Sequence, residues 1–213
     1  MRKKQEERSA LFTQRLVAFI LDTIILFFAI NIISYFIPTS DAALKLYDEQ
    51  NTIIENYINQ DITMEDYVNQ MVDLSYDIAR ETGIITIVSI VVVLLYYVLF
   101  PIYWDGQTPG KRMMRIKIKK SNDKELGMND MLLRTMITQG AFVNIVLVIL
   151  LFFVSKDVYL NVNTLLTTLQ YLVVIVSALM IAFSKKREGL HDIICHTKVV
   201  MVEPIKEEVV CEN

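Results

Sequence analysis

Four long windows almost free of charge constrain this chain more than any other feature. They cover residues 16–37, 83–104, 135–155 and 165–184. Asp22 is the one charge in the first window, and the second and third carry none. A helix needs about 20 apolar residues to cross the hydrocarbon of a bilayer. Lipid offers no partner to a backbone N–H or C=O, so a run this long satisfies its own groups only as a helix. Membrane strands are about half as long and alternate apolar with polar residues, which these runs do not. Hydrophobic residues make up 54% of the 213, above the roughly 45–50% of a soluble domain. The expected fold is an all-α membrane protein with four transmembrane helices.

Orientation follows from Lys and Arg, which concentrate on the cytoplasmic side of a membrane. Of the 21 basic residues, 18 fall in 1–15, 105–134 and 185–213. Only Lys45, Arg80 and Lys156 lie elsewhere. The reading is a multi-pass plasma-membrane protein with both termini cytoplasmic. Its parts are a basic cytoplasmic arm (1–15), an extracellular helical hairpin (38–82), a basic cytoplasmic loop with a turn and strand (105–134), a short extracellular loop (156–164) and a cytoplasmic tail with a strand (185–213). The first apolar run is too long for a signal-peptide core and lacks a small-x-small cleavage site, so it reads as a retained span. Cys195 and Cys211 then face a reducing compartment as free thiols. The formal charge of −3 argues against a nucleic-acid partner, leaving the lipid bilayer as the first one.

The 38–82 segment holds ten acidic and two basic residues and is too patterned for a linker. Leu44, Tyr47, Ile54, Tyr57 and Ile58 recur near helical spacing, as do Met64, Tyr67, Val68, Met71, Leu74 and Ile78. Thr63 with Asp66 resembles a capping box opening the second of two helices. On the basic side, 115–119 alternates with period two and 197–202 is a second strand candidate. They are expected to pair into a short cytoplasmic sheet. Asn129 or Asp130 is placed to cap the third span's helix.

Asp22 is the one ionisable side chain well inside a span, where a carboxyl is costly and reads by default as functional. Two readings stand side by side. One is a proton or cation relay; the other is a buried structural pair with an Arg, His or hydroxyl from another element. Arg15 lies on the same helix face but about 10 Å away along the axis, too far for direct contact without a bend. Gln139, Gly140 and Asn144 mark the third span, and Gln170 and Ser177 one stripe of the fourth. Such groups commonly bond between helices. The turn Gly106-Gln107-Thr108-Pro109-Gly110-Lys111 tempts a phosphate-loop reading, but the glycines are one residue too close and Arg112 stands where Ser or Thr is needed. Pro109-Gly110 reads instead as a tight reversal. His191, Cys195 and His196 lack further ligands, so no metal and no cofactor are assigned, and no nucleophile–base pair suggests an enzyme.

Three segments together resemble the RDD family of bacterial membrane proteins. They are Arg15 with Asp22, the turn from Asp105 to Arg112 followed by Ile116-Lys117-Ile118, and Gly189-Leu190-His191-Asp192 followed by Thr197-Lys198-Val199-Val200. The resemblance implies a signature triplet of Arg15, Asp22 and Asp192, with Asp105 the alternative third member and Arg187 and His191 within reach. Asp105, Gly106, Thr108, Gly110 and Lys111 form the family-like cytoplasmic turn. Cys195-His196 departs from the Ala-Gly usual before that Thr, and 38–82 stands outside the resemblance as an insertion. For function, the resemblance implies transport of a small solute or exchange of a monovalent cation for protons. Four spans are few for an alternating-access carrier, so transport would call for a homo-oligomer. The alternative is a non-catalytic regulator of another membrane protein, such as a membrane peptidase.

Overall fold

The computed structural model describes residues 8–122 and 124–202. Arg2, Lys3, Lys4, Lys206 and Cys211, which entered the sequence reading, lie outside the described residues. The described chain is an all-α membrane protein with one small sheet. Helices α1 (Phe12–Tyr35), α4 (Gly83–Tyr103) and α8 (Lys156–Phe183) are each long and apolar enough to cross a membrane. Only 17%, 22% and 11% of their apolar windows are buried. Most of their apolar side chains therefore face outward, as they do in helices solvated by lipid.

Two boundaries differ from expectation. Residues 156–164, expected as a loop, form the first turns of α8. Their polar side chains fold back onto the helix: Asn161 donates to the Asp157 carbonyl at 2.9 Å and Thr164 to the Leu160 carbonyl at 2.9 Å. The third span is not one helix over 135–155. It is α6 (Met128–Thr138) and α7 (Ala141–Phe153), bent by 70°. The break sits at Gln139-Gly140, where Gly140 is left-handed at φ 62°. The Gln170 amide replaces a lost helical donor by bonding the Ile137 carbonyl at 2.9 Å. At the start of α6, Asp130 accepts the Gly127 N–H at 2.9 Å, satisfying one of the free donors at a helix start.

The chain divides into two units. The first comprises Met1–Ile24, Tyr97–Arg134 and Val176–Asn213. Its strands β1 (Ile116–Lys120) and β2 (Thr197–Met201) pair antiparallel, with Ile118 opposite Val199. Ser9 extends the sheet by bridging Val200, and Ala10 donates its N–H to the Val199 carbonyl at 3.0 Å. Ile116, Ile118 and Val199 point into a core with Ala10, Ala18, Val98 and Met131. Two single-turn helices complete this unit, α5 (Pro109–Met113) and α9 (Leu190–Ile194). The expected reversal at Pro109-Gly110 is thus a helix start. Thr108 caps it and Pro109 takes a first-turn position, where a missing N–H costs nothing.

The second unit comprises Ile25–Tyr96 and Thr135–Ile175. It holds the hairpin of α2 (Asp41–Ile58) and α3 (Met64–Glu81). Ser40 caps α2 through the Ala43 N–H, and Thr63 and Asp66 form the reciprocal capping box of α3. Tyr57 and Tyr67 stack across the turn with centroids 4.7 Å apart. Tyr76, Leu147, Leu151 and Tyr159 form this unit's core. Lys156 reaches Asp73 and Asp77, each at 3.4 Å, and so neutralises part of the acidic surface.

Candidate functional site

Asp22 is fully buried on α1. Oδ2 accepts the Thr108 hydroxyl at 2.6 Å, and Oδ1 accepts the Gly110 N–H at 2.7 Å. The Lys111 ammonium stands 3.8 Å from Oδ2 and 5.6 Å from the centre of the Tyr97 ring. The turn that resembles a phosphate loop therefore cradles an anion of its own chain. Its donors converge on a carboxylate because the one-turn helix after Thr108 aims its first N–H groups toward α1. Gly110 permits that approach: a Cβ there would lie 2.4 Å from the Ala18 carbonyl oxygen and 2.7 Å from Asp22 Oδ1. Burial pushes the Lys111 ammonium down to about 8, against the pull of Asp22.

Asp192 forms a second anchor. It is buried, and its two oxygens take different arginines: Arg15 Nη1 donates to Oδ2 at 2.7 Å and Arg134 Nη1 to Oδ1 at 2.6 Å. Gly189 N–H also donates to Oδ2, at 3.0 Å. Burial alone would raise this carboxyl. Arg134, His191 and Arg15, together with the Gly189 N–H, outweigh it and hold Asp192 well below the usual carboxylate range. Arg15 also donates to the Arg187 carbonyl at 2.6 Å, and Arg134 to the Thr197 hydroxyl. The Asp192 carboxylate thus ties α1 and α6 to α9, and Arg134 adds β2. Two cations on one anion leave a net positive centre, and charge-assisted bonds of this length are among the stronger ones in proteins.

His191 borders that anchor. Its Nδ1 is 2.6 Å from the Ser177 hydroxyl, and its Nε2 is 3.5 Å from Asp192 Oδ1. Burial and the neighbouring Arg134 push the imidazole down to about 3, so it is neutral at physiological pH. With Nε2–H toward the carboxylate, Nδ1 accepts from Ser177. Gly189 makes room for this contact: a Cβ there would lie 2.5 Å from Ser177 Oγ. Cys195 is a buried free thiol whose pKa is raised by burial, the opposite of a reactive cysteine.

The second unit has a half-open pocket of about 330 Å³ at the helix break; Asn144 at its edge is exposed. Thr86 and Ser89 of α4 and Gln139 and Asn144 at the break line it, with Ile90 and Val93 among its apolar walls. The hydroxyls donate to backbone carbonyls four residues earlier, Ser89 to Ile85 at 2.8 Å and Thr86 to Thr82 at 3.4 Å. Their oxygens keep acceptor capacity toward the cavity. The Gln139 and Asn144 carboxamides make no hydrogen bond to another described residue.

The structure separates the expected signature residues into two anchors of one unit. Arg15, Asp192, His191 and the Arg187 backbone meet; Asp22 instead meets Thr108, Gly110 and Lys111. Of the two candidates for the third signature position, Asp192 is buried against Arg15. The Asp105 side chain is 83% exposed and pairs with Lys117. Gly106 lies beside β1, its carbonyl accepting the Ile118 N–H at 2.8 Å. Arg134 and Thr197 were not singled out as site residues in the sequence. Arg134 read as the basic end of a loop, but it lies within α6, which starts at Met128, and its side chain turns inward.

A family model described as RDD family matches residues 9–196. A relative in Bacillus subtilis (strain 168), named uncharacterized protein YckC, is 29% identical over 117 residues. That alignment covers 55% of this chain and 62% of the relative, so the chain spans less than two thirds of the curated relative it matches. No solved structure matches.

Proposed function

The chain belongs to the RDD family, and from that premise we propose that it is a multi-pass plasma-membrane protein that moves a small solute across the bilayer. The observation that carries the reading is the cavity at the broken third span. Broken helices at membrane depth are tolerated where they line a cavity, and transporters place substrate sites at such breaks. Here the break exposes two carboxamides and two hydroxyls to one 330 Å³ volume. The basic bias of 105–134 and 185–213 supports cytoplasmic termini. Four spans are few for alternating access, so a homo-oligomer is the working unit.

Exchange of cations for protons at Asp22 has less support than solute passage. Both carboxylate oxygens of Asp22 already accept bonds from the Thr108 hydroxyl and the Gly110 N–H, and Lys111 adds a positive charge beside them. A cation would have to displace these donors. The arrangement fits a lock between α1 and α5. The test is solute flux in liposomes carrying the purified full chain. Shrinkage followed by re-swelling faster than in protein-free liposomes, for at least one small solute, is the expected result. A protein silent toward neutral and ionic solutes alike, recovered with one membrane partner, overturns it in favour of regulation.

A further inference from the structure

We propose that the cavity at the break of the third span is a binding site for a small uncharged molecule bearing hydroxyl or amide groups. The inference deepens the transport reading and rests on it only for the claim that the ligand crosses the membrane. The lining decides the chemistry. Its polar members are Thr86, Ser89, Gln139 and Asn144, and no ionisable residue is among the lining. An ion taken into a low-dielectric site without a counter-charge is strongly penalised. A neutral molecule meets no such penalty and finds complementary partners. Each carboxamide offers two N–H donors and an accepting oxygen, and each hydroxyl keeps accepting lone pairs.

The site is built, not incidental. Thr86, Ser89, Ile90 and Val93 follow one face of α4 at helical spacing, so two hydroxyls and then two aliphatic side chains share one wall. Gly140 breaks the opposite helix and sets Gln139 and Asn144 on either side of the bend. A lipid-facing carboxamide without a partner is costly, and a ligand supplies that partner. A volume of about 330 Å³ lies at the small end of ligand cavities, roughly 300–1,000 Å³. It suits a molecule of polyol or short-amide size.

The test uses the full chain with Ser89→Cys in a background of Cys195→Ala and Cys211→Ala, purified and placed in liposomes. Alkylation of the new thiol is timed with xylitol, acetamide or sodium acetate present. Xylitol or acetamide is expected to slow alkylation about threefold when present at about twice its Kd, and sodium acetate to leave the rate unchanged. Gln139→Leu with Asn144→Leu is expected to abolish that protection while thermal unfolding stays cooperative. Protection by acetate equal to that by the neutral probes overturns the inference, as does protection by none of the three. Protection that persists in the folded double variant overturns it as well. A Ser89→Cys chain that oxidises quantitatively to a linked dimer overturns it too, by placing a second copy over the cavity. Flux of the same probes is measured in parallel. Neutral-probe protection without flux upholds the site and removes the transport reading. Flux of acetate with acetate protection upholds transport and removes the uncharged ligand.

Discussion

In the first unit Asp22 and Asp192 are buried, and each takes its hydrogen bonds from fixed donors of the same chain. In the second unit Gln139 and the exposed Asn144 line a half-open pocket. Both sets of polar groups are costly to place among apolar helices. Both oxygens of each carboxylate are engaged, with Arg15 and Arg134 on one and Thr108 and Gly110 on the other. The neutral set keeps donors and acceptors to offer. The residues that dominate the sequence as motifs thus hold the fold, and the less conspicuous polar groups at a helix break are the ones free to meet a ligand.

The contrast breaks first at Asp192. Asp192→Asn leaves two buried guanidiniums without their shared counter-charge. Removing one partner of a buried ion pair costs about 3–5 kcal/mol, so thermal unfolding in detergent should show a large fall or a failure to fold. An unchanged unfolding temperature would mean that the anchor is not structural, and the two units would no longer differ in kind.

The Asp22 anchor gives a smaller effect. Gly110→Ala drives a Cβ against the Ala18 carbonyl and the Asp22 carboxylate. Forcing a methyl into packed structure costs roughly 1–3 kcal/mol, and the loss should appear in the same unfolding assay. Asp22→Asn keeps an acceptor for the Gly110 N–H but removes the charge beside Lys111. It should destabilise within about the same range and leave solute flux intact. Loss of flux in a fully stable Asp22→Asn protein would return the proton-relay reading and place function in the first unit.

Much of this was legible in the sequence, and the limits have physical reasons. The apolar windows show themselves because lipid solvation acts on every residue of a span. The capping box of Thr63 and Asp66 shows itself because it is local. The partners of Asp22 do not, because Thr108 and Gly110 lie 86 and 88 residues away and no spacing rule joins them. The break at Gln139-Gly140 is hidden because a glycine inside an apolar run is compatible with an unbroken membrane helix. What decides it is the Gln170 amide on a different helix. Residues 156–164 looked like a loop from their polar content. In the structure those side chains bond their own helix, and so the helix continues.

His191 sharpens the comparison through pH. The unfolded imidazole binds a proton below about 6.5, whereas in the folded chain it does so only below about 3. Between those values the unfolded state holds more protons, so stability falls as pH falls. The limiting slope is about 1.4 kcal/mol per pH unit. Asp192, held below the usual carboxylate range, adds a loss in the same direction, confined to pH below its unfolded value of 3.8. Unfolding temperatures measured from pH 7 to 4.5 should therefore decline. His191→Gln should flatten that decline while still accepting from Ser177. A decline of equal slope in the variant would assign the pH response to another group.

The smallest effect is the most discriminating. Asn144→Leu removes a carboxamide that bonds no other described residue and replaces it with an apolar side chain of similar size. A structural polar group of the Asp192 kind would lose several kcal/mol on such a change. A group kept for a ligand loses no internal partner, and substitutions away from packed or paired features usually stay within about 0.5 kcal/mol. Stability in detergent should therefore be unchanged or slightly raised. Lipid favours the leucine further, because an exposed carboxamide in hydrocarbon lacks the hydrogen bonds of water. A clear fall in unfolding temperature for Asn144→Leu would show that this side chain supports the helix break. The cavity would then be a by-product of the bend, and the distinction between an anchoring unit and a ligand-facing unit would not survive.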